Sequence, residues 1–450
     1  MAEAIAELEG IVSKELAGGG AAWADAPLRT GQTLDLPDWY QAFRDQNWEE
    51  HCKLPDPRRT DEAWRFATLS RSKFNGLNLA PPLEQGQGQT LVEQSVGIRK
   101  NSGRVVFANN VELARDTESL PEGVVCLPIN EALAQHGDRV RESFMQEDTR
   151  LGGKKFAALH RAGDLSGVFI YVPDGVEVEH PVEVFHWLGG GDGSVILPHT
   201  LIVTGAGARI SVVEYYRSVE GGAAGLSLGM GDILTGKGSK VDYASVQSLN
   251  AKSSQVQIGS TKVGEGAAVK TALVNLGGAW VRTENVSRML GSGARSDMLS
   301  LSLAEGDTEI DQRTLQLHEV ENTESDLFYK NALYDRARAI FAGVISVEPG
   351  AHHTDAFQTC RNLLGSDEAE ANSMPGLEIG ADQVRCSHGA TTGSIDPEQL
   401  FYCLARGISE QVAKKLISCG FLNDVVKRID DDSVKEMVMR EVEAAFARVG

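Results

Sequence analysis

Four short segments about thirty residues apart constrain the fold of this chain more than any other feature. TGAGARISVVEYY starts at Thr204, TGKGSKVDYASVQ at Thr235, VGEGAAVKTALVN at Val263 and LGSGARSDMLSLS at Leu290. Each has an apolar residue or Thr, then Gly-x-Gly, then a short run in which apolar and polar residues alternate. The first glycines, Gly205, Gly236, Gly264 and Gly291, are 31, 28 and 27 residues apart. Alternation with period two turns every second side chain to the same face of a strand. Repeated at this interval, it predicts coils of a β-solenoid that turn corners at glycine and stack inward side chains on the next coil. A closed barrel or sandwich is the competing architecture. The chain has 48 glycines in 450 residues, against an average share of about 7%, as a backbone that turns this often requires. The strand-rich region begins near Gly167 with GVFIYVPDGVEVEHPVEVFHW and continues to about Val384.

Both ends depart from this pattern. Ile5, Leu8, Ile11, Val12 and Leu16 recur at helical spacing before Gly18-Gly19-Gly20, and Trp39, Tyr40 and Phe43 suggest a second helix. Pro, Gln and Gly dominate from Ala80 to Gly103 and read as a connector. A small mixed unit follows, with strands at Arg104 to Asn110 and Gly123 to Leu127 and one helix from Asn130 to Phe144. Past the solenoid, Asp396-Pro397 supplies an N-cap and a first-position proline. Gly407 closes that helix, Ser409 caps the next, and Gly420 is expected to end it. Asp430-Asp431-Asp432 caps the last helix. The chain thus divides into an N-terminal helical region (1–80), a connector with a small α/β unit (81–150), the solenoid (151–395) and a C-terminal helical domain (396–450).

Charge and cysteine usage narrow the function. A formal net charge of -20 argues against nucleic acid or an anionic membrane as partner. No apolar run reaches the roughly 18 residues of a membrane span, and MAEAIAELEG lacks the basic and apolar regions of an export signal. Six cysteines at irregular positions read as free thiols in a reducing compartment, so a cytoplasmic protein is expected. Gly231 to Lys237, GDILTGK, nearly spells a phosphate-binding loop, but Gly238 stands where Ser or Thr must hold Mg²⁺, and the following residues alternate like a strand. No nucleotide site is expected, and the four Gly-x-Gly elements are turns.

The chemistry concentrates between Ala351 and Asp396, with Cys360, Cys386, His352, His353 and His388 among glycines and short alternating runs. Such donors on a strand scaffold can hold iron, sulfur or zinc, although the Cys-Ser-His spacing is too tight for an ordinary zinc clamp. Two positions apart on a strand, Cys386 and His388 share one face. Arg385 or the imidazole could favour the thiolate. Side by side, they are poorly disposed to act as nucleophile and base of a hydrolase. His352 and His353, read as alternating across a strand, fit surface or core positions better than ligands. Cys52, Cys126, Cys403 and Cys419 read as packing. An apolar stripe of Val412, Leu416 and Ile417, with Phe401 and Tyr402 on the preceding helix, exceeds what two helices need to cover a solenoid end and marks a partner surface.

Gln358, Arg361-Asn362-Leu363-Leu364, Pro375, Leu377-Glu378-Ile379, Asp382, Val384 and Cys386 to Gly393 occur in one order that resembles the C-terminal half of the SufB/SufD family of iron–sulfur cluster assembly proteins. RCSHGATTGSID is similar to its SufD branch. Leu54-Pro55 with Glu62-Ala63-Trp64-Arg65, and Phe156-Ala157-Ala158-Leu159 with Gly167 and the Val182 run, resemble the family's N-terminal element and the entry to its core. His160 stands where the family usually has Asn. The resemblance implies a right-handed parallel β-helix with helical ends, and a scaffold that catalyses little itself. It further implies pairing with a SufB-type paralogue near residues 351–396, and docking of a SufC-type ABC ATPase on the C-terminal helices. A transient iron–sulfur cluster would form at a shared interface, with His388, and with it Cys386, as ligand candidates. Cys360 departs from the SufD pattern and leaves two readings, a second sulfur acceptor or a neutral substitution, of which the neutral one is preferred. A homodimer remains open for the isolated chain. The alternatives are a SufB-like subunit that itself accepts sulfur, favoured only by Cys360, and a carbohydrate-active β-helix enzyme, which needs a row of carboxylates on one face.

Overall fold

The computed structural model describes residues 26–29, 36–72, 76–84, 86–147, 149–219 and 222–447. The helix read over Ile5 to Leu16 lies outside the described residues. The strand-rich region is a parallel β-solenoid in which successive strands alternate between two sheets. The first sheet runs from Ser166–Val172 through Pro198–Thr204, Gly225–Thr235, Ser254–Val263, Trp280–Met289, Glu309–His318 and Arg338–Val347 to Glu370–Ile379. The second runs from Val182–Leu188 through Arg209–Ser218, Lys240–Ser248, Ala268–Asn275, Arg295–Ala304, Glu324–Leu333 and Asp355–Leu364 to Arg385–Ser394. Arg209, Lys240, Ala268, Arg295, Glu324, Asp355 and Arg385 stand in one register column, so the repeat found in the sequence is the coil itself.

The Gly-x-Gly corners need glycine twice, for different reasons. The second glycine is left-handed, with φ +66° at Gly207 and Gly238, +62° at Gly266 and +77° at Gly293. The first lies against the backbone of the coil beneath: a Cβ on Gly236 would sit 2.5 Å from the carbonyl carbon of Gly205. In later coils Asn322, His353 and Gln383 take over the left-handed position, with φ of 58°, 57° and 58°. His352 and His353 therefore occupy a corner and do not alternate along a strand, and His352 Nδ1 lies 2.9 Å from the Asp382 carbonyl.

The flanking segments cover sheet faces. Strand Gly103–Ala108 pairs with Val182–Leu188, and Val125–Pro128 pairs antiparallel with Ser166–Val172, so the small mixed unit extends both sheets at the N-terminal end. Its helix is two, α3 (Ile129–Gln135) and α4 (Gly137–Ser143), because the backbone leaves helical geometry at His136, φ -130°. With α1 (Asp38–Lys53), which fulfils the Trp39 to Phe43 expectation, and α5 (Lys154–Ala162), they bury Tyr40, Phe144, Phe156 and Leu159 against Leu226, Leu228, Met230 and Trp280 of the first sheet. Helix α2 (Gln87–Gln94) packs near the start of the second sheet. A strap of residues 61–72 crosses the first sheet, where Arg282 donates to the carbonyl of Ala63, Arg313 to that of Arg65, and Glu309 accepts from Thr68 N at 3.0 Å.

At the other end, α6 (Pro397–Ala405) is capped as predicted by Asp396, which accepts from Glu398 N. Helix α7 (Glu410–Val426) runs straight through Gly420, contrary to expectation: a glycine costs about 1 kcal/mol inside a helix, and packing on the sheet outweighs that. Helix α8 (Asp432–Phe446) is capped by Asp431. Together α7 and α8 cover the outer face of the second sheet, burying Val213, Val246, Leu299, Leu301 and Phe328 against Leu422, Val425, Met437 and Val442. The buried Lys330 ammonium is fastened to Asp424 and to the Phe421 carbonyl, each at 2.9 Å.

Candidate functional site

The two ends of the solenoid differ. Short antiparallel strands and helices finish the N-terminal end, whereas the last strands, Glu370–Ile379 and Arg385–Ser394, each pair on one side only among the described residues. Along Asp355–Leu364 the residues Ala356, Gln358, Cys360 and Asn362 are buried and Phe357 and Arg361 exposed, so the former point into the lumen. Register then sets Cys386 over Ala356, His388 over Gln358, Ala390 over Cys360 and Thr392 over Asn362. Cys386 and His388 share a face as their spacing predicts, and it is the inward face of an uncovered coil.

Cys386 is half-buried against Ile345, Val347, Ala351 and Ala356, while His388 is exposed. Across from them the opposite strand presents Leu377 and Ile379, 37% and 43% exposed, which rim the open end with apolar surface. Burial raises the Cys386 thiol pKa, a hydrogen bond with the Ala356 backbone opposes this, and the Asp355 carboxylate adds to it. Arg385 lends no charge to the thiol, because it faces outward in a bidentate pair with Asp355 (Nε to Oδ1, 2.7 Å). The surroundings thus disfavour the thiolate form. Among the described residues no group of three or more His, Cys, Asp or Glu side chains is placed to hold a metal ion. One sulfur and one nitrogen donor can supply part of a cluster's ligands but not the whole set.

Cys360 lies one coil deeper, fully buried among Met298, Leu327, Tyr329 and Phe341. Its Sγ is 3.9 Å from Asn362 Oδ1, and burial pushes its pKa up to about 12. A thiol so shielded suits packing better than sulfur acceptance. His160 is also enclosed, with Nδ1 2.8 Å from the Leu228 carbonyl and Nε2 3.4 Å from His199, and burial holds it neutral. Cys126 is buried and Cys403 and Cys419 half-buried, but Cys52 is exposed on α1 and does not pack. GDILTGK continues a strand into a turn and the next strand, with no helix to cradle phosphate.

The C-terminal stripe is divided. Phe401, Tyr402, Val412 and Leu416 are exposed, at 70%, 61%, 47% and 54%, and α6 buries no residue. Ile417 is half-buried. Leu404, 42% exposed, extends the patch and was missed, although it lies one helical turn beyond Phe401. Glu284, Asp311 and Glu309, on one face of the first sheet, are buried and paired with Arg282, Arg313 and Arg338, so these three offer no free acid and base for glycoside hydrolysis.

A family model described as SUF system FeS cluster assembly, SufBD core domain, matches residues 186–421. The iron-sulfur cluster assembly protein SufD of Bacillus subtilis is 26% identical over 415 residues, covering 90% of this chain and 94% of that protein. A SufBD family protein of Synechocystis is 24% identical over 388 residues, covering 83% and 84%. SufD of Escherichia coli is 36% identical over 167 residues, 37% of this chain and 40% of that protein. With the core domain matched over more than half its length, the chain belongs to the SufB/SufD family of iron–sulfur cluster assembly proteins and is most like SufD.

Proposed function

We propose that this chain is a non-catalytic scaffold subunit of a cytoplasmic SUF assembly complex, pairing at its open end with a SufB-type paralogue and docking a SufC-type ABC ATPase on α6 and α7. The observation that carries the reading is the one-sided pairing of Glu370–Ile379 and Arg385–Ser394, with Cys386 and His388 in the uncovered inward column. Unpaired strand edges with an apolar rim are templates for another sheet. A partner coil laid there would bury Leu377 and Ile379 and desolvate the two donors. An iron–sulfur cluster formed between the chains would be cargo, held by His388 and Cys386 from this side. The exposed faces of Phe401, Tyr402, Val412 and Leu416 supply a second, separate surface for the ATPase. ATP hydrolysis is assigned to that partner.

Native mass spectrometry of the chain co-expressed with SufB-type and SufC-type proteins tests this. Wild type should form a hetero-oligomer, a Leu377→Asp/Ile379→Asp variant should lose the paralogue, and Phe401→Ala/Leu416→Ala should lose the ATPase while keeping its melting temperature. A wild-type chain that stays alone or only self-associates, or an edge variant that assembles in full yield, would overturn the reading.

A further inference from the structure

The strap of residues 61–72 advances toward the open end of the solenoid and turns back at one residue. Its carbonyls accept from three successive strands of the first sheet: Ala63 from Arg282 at 3.1 Å, Arg65 from Arg313 at 2.9 Å and Phe66 from Arg338 at 3.4 Å. Past Phe66 it retreats, with Thr68 on Glu309 and Arg71 donating to the Ala279 carbonyl at 2.7 Å. Phe66 itself makes the reversal, in the left-handed conformation with φ +66°. Glycine or asparagine holds that conformation at little cost, whereas a bulky side chain is strained in it. The ring is not repaid by burial. Trp64 and Ala67 on either side belong to the core, but Phe66 is 41% exposed, with the Arg65 guanidinium over it at 5.1 Å from the ring centroid. Backbone strain of this kind gathers at positions that serve a function.

The apex of the strap lies beside the last coil. Arg338, which holds the Phe66 carbonyl, also pairs at 3.1 Å with Glu370, the first residue of the last strand of the first sheet. From there Ala342, Val344 and Met374 continue a half-buried apolar outer face along the last two strands. A chain that extends the first sheet past Glu370–Ile379 therefore brings its own outer face alongside Phe66. Main-chain pairing along an edge supplies affinity, and side-chain pockets beside it choose the partner. Aromatic and arginine side chains are the commonest anchors of such contacts. We propose that Phe66 and the exposed Arg65 select the chain that adds at the open end: a SufB-type paralogue receives the Phe66 ring in an apolar pocket and sets a carboxylate against Arg65. This rests on the assembly reading above and adds to it a contact made by the N-terminal strap, outside the solenoid strands.

Calorimetric titration of the full chain with the purified SufB-type protein, with melting temperatures taken on the same samples, tests the proposal. Phe66→Gly keeps the left-handed bend and removes the ring, so its melting temperature should equal or exceed that of wild type while its affinity falls about tenfold or more. Arg65→Glu reverses an exposed charge and should likewise weaken binding without lowering the melting temperature. Wild-type affinity in either variant, or an affinity loss accompanied by a lowered melting temperature, would overturn the proposal while the assembly reading stands. A wild-type chain that does not bind the SufB-type protein would overturn both.

Discussion

Gly236→Ala puts the coil-on-coil geometry under direct test. The new Cβ would lie 2.5 Å from the carbonyl carbon of Gly205, 2.7 Å from its oxygen and 2.8 Å from Ala206 N. All three are backbone atoms, so no side chain can swing aside. The coil must move, yet Gly236 N is hydrogen-bonded to the Thr204 carbonyl at 2.8 Å, which ties the two coils at the same spot. Overpacking usually costs about 1–3 kcal/mol, and a rigid neighbour places this substitution at the upper end. Gly238→Ala meets nothing within 4 Å but must hold φ +66°, at about 1–2 kcal/mol. Gly137→Ala, with open space at the start of α4, serves as a near-neutral control. Urea-unfolding midpoints followed by tryptophan fluorescence should rank Gly236→Ala lowest, Gly238→Ala next and Gly137→Ala level with wild type. If Gly236→Ala unfolds with the wild-type midpoint, the coils do not approach as described.

Three further outcomes follow from burial. Deleting residues 408–450 uncovers Val213, Val246, Leu299, Leu301 and Phe328 and strips Lys330 of Asp424, so the truncated chain should be insoluble; recovery of a folded monomer by gel filtration would refute this. In the native protein a maleimide should label Cys386 and Cys52 while Cys360 and Cys126 stay unmodified until urea unfolds the chain, and peptide mass mapping would expose early labelling of either buried thiol. Burial lowers the pKa of His318 from 6.5 to about 4, so the unfolded chain takes up its proton first as pH falls. The stabilisation is complete above pH 6.5 and is lost toward pH 4, about 3 kcal/mol over that window. His318→Asn should flatten that part of the stability–pH curve, and an unchanged slope would argue against a neutral buried imidazole.

The repeat was legible because the corners between residues 204 and 294 are written in glycine, which one close approach and one left-handed residue both demand. It faded where Asn322, His353 and Gln383 hold the same left-handed turn, since each tolerates it without announcing it. The stripes of the terminal helices revealed that one face is buried but not what buries it: they lie along the sheets and leave the last coil open. Gly420 misled because a glycine inside a packed helix looks like a stop signal when the sheet beneath α7 is unseen. At the site, two-residue spacing was enough to align Cys386 with His388. The outward pairing of Arg385 with Asp355 and the shielding of Cys360 depend on neighbours thirty residues away, which no local pattern contains.

The account stands most directly on the iron and sulfide content of the co-expressed complex, measured for wild type and His388→Ala with complex mass and melting temperature determined on the same samples. His388 is exposed on the last strand, so its removal should leave mass and melting temperature unchanged while cluster content drops to background. Undiminished iron and sulfide in His388→Ala, or a full cluster on the isolated wild-type chain, would contradict a shared site at the open end of the solenoid.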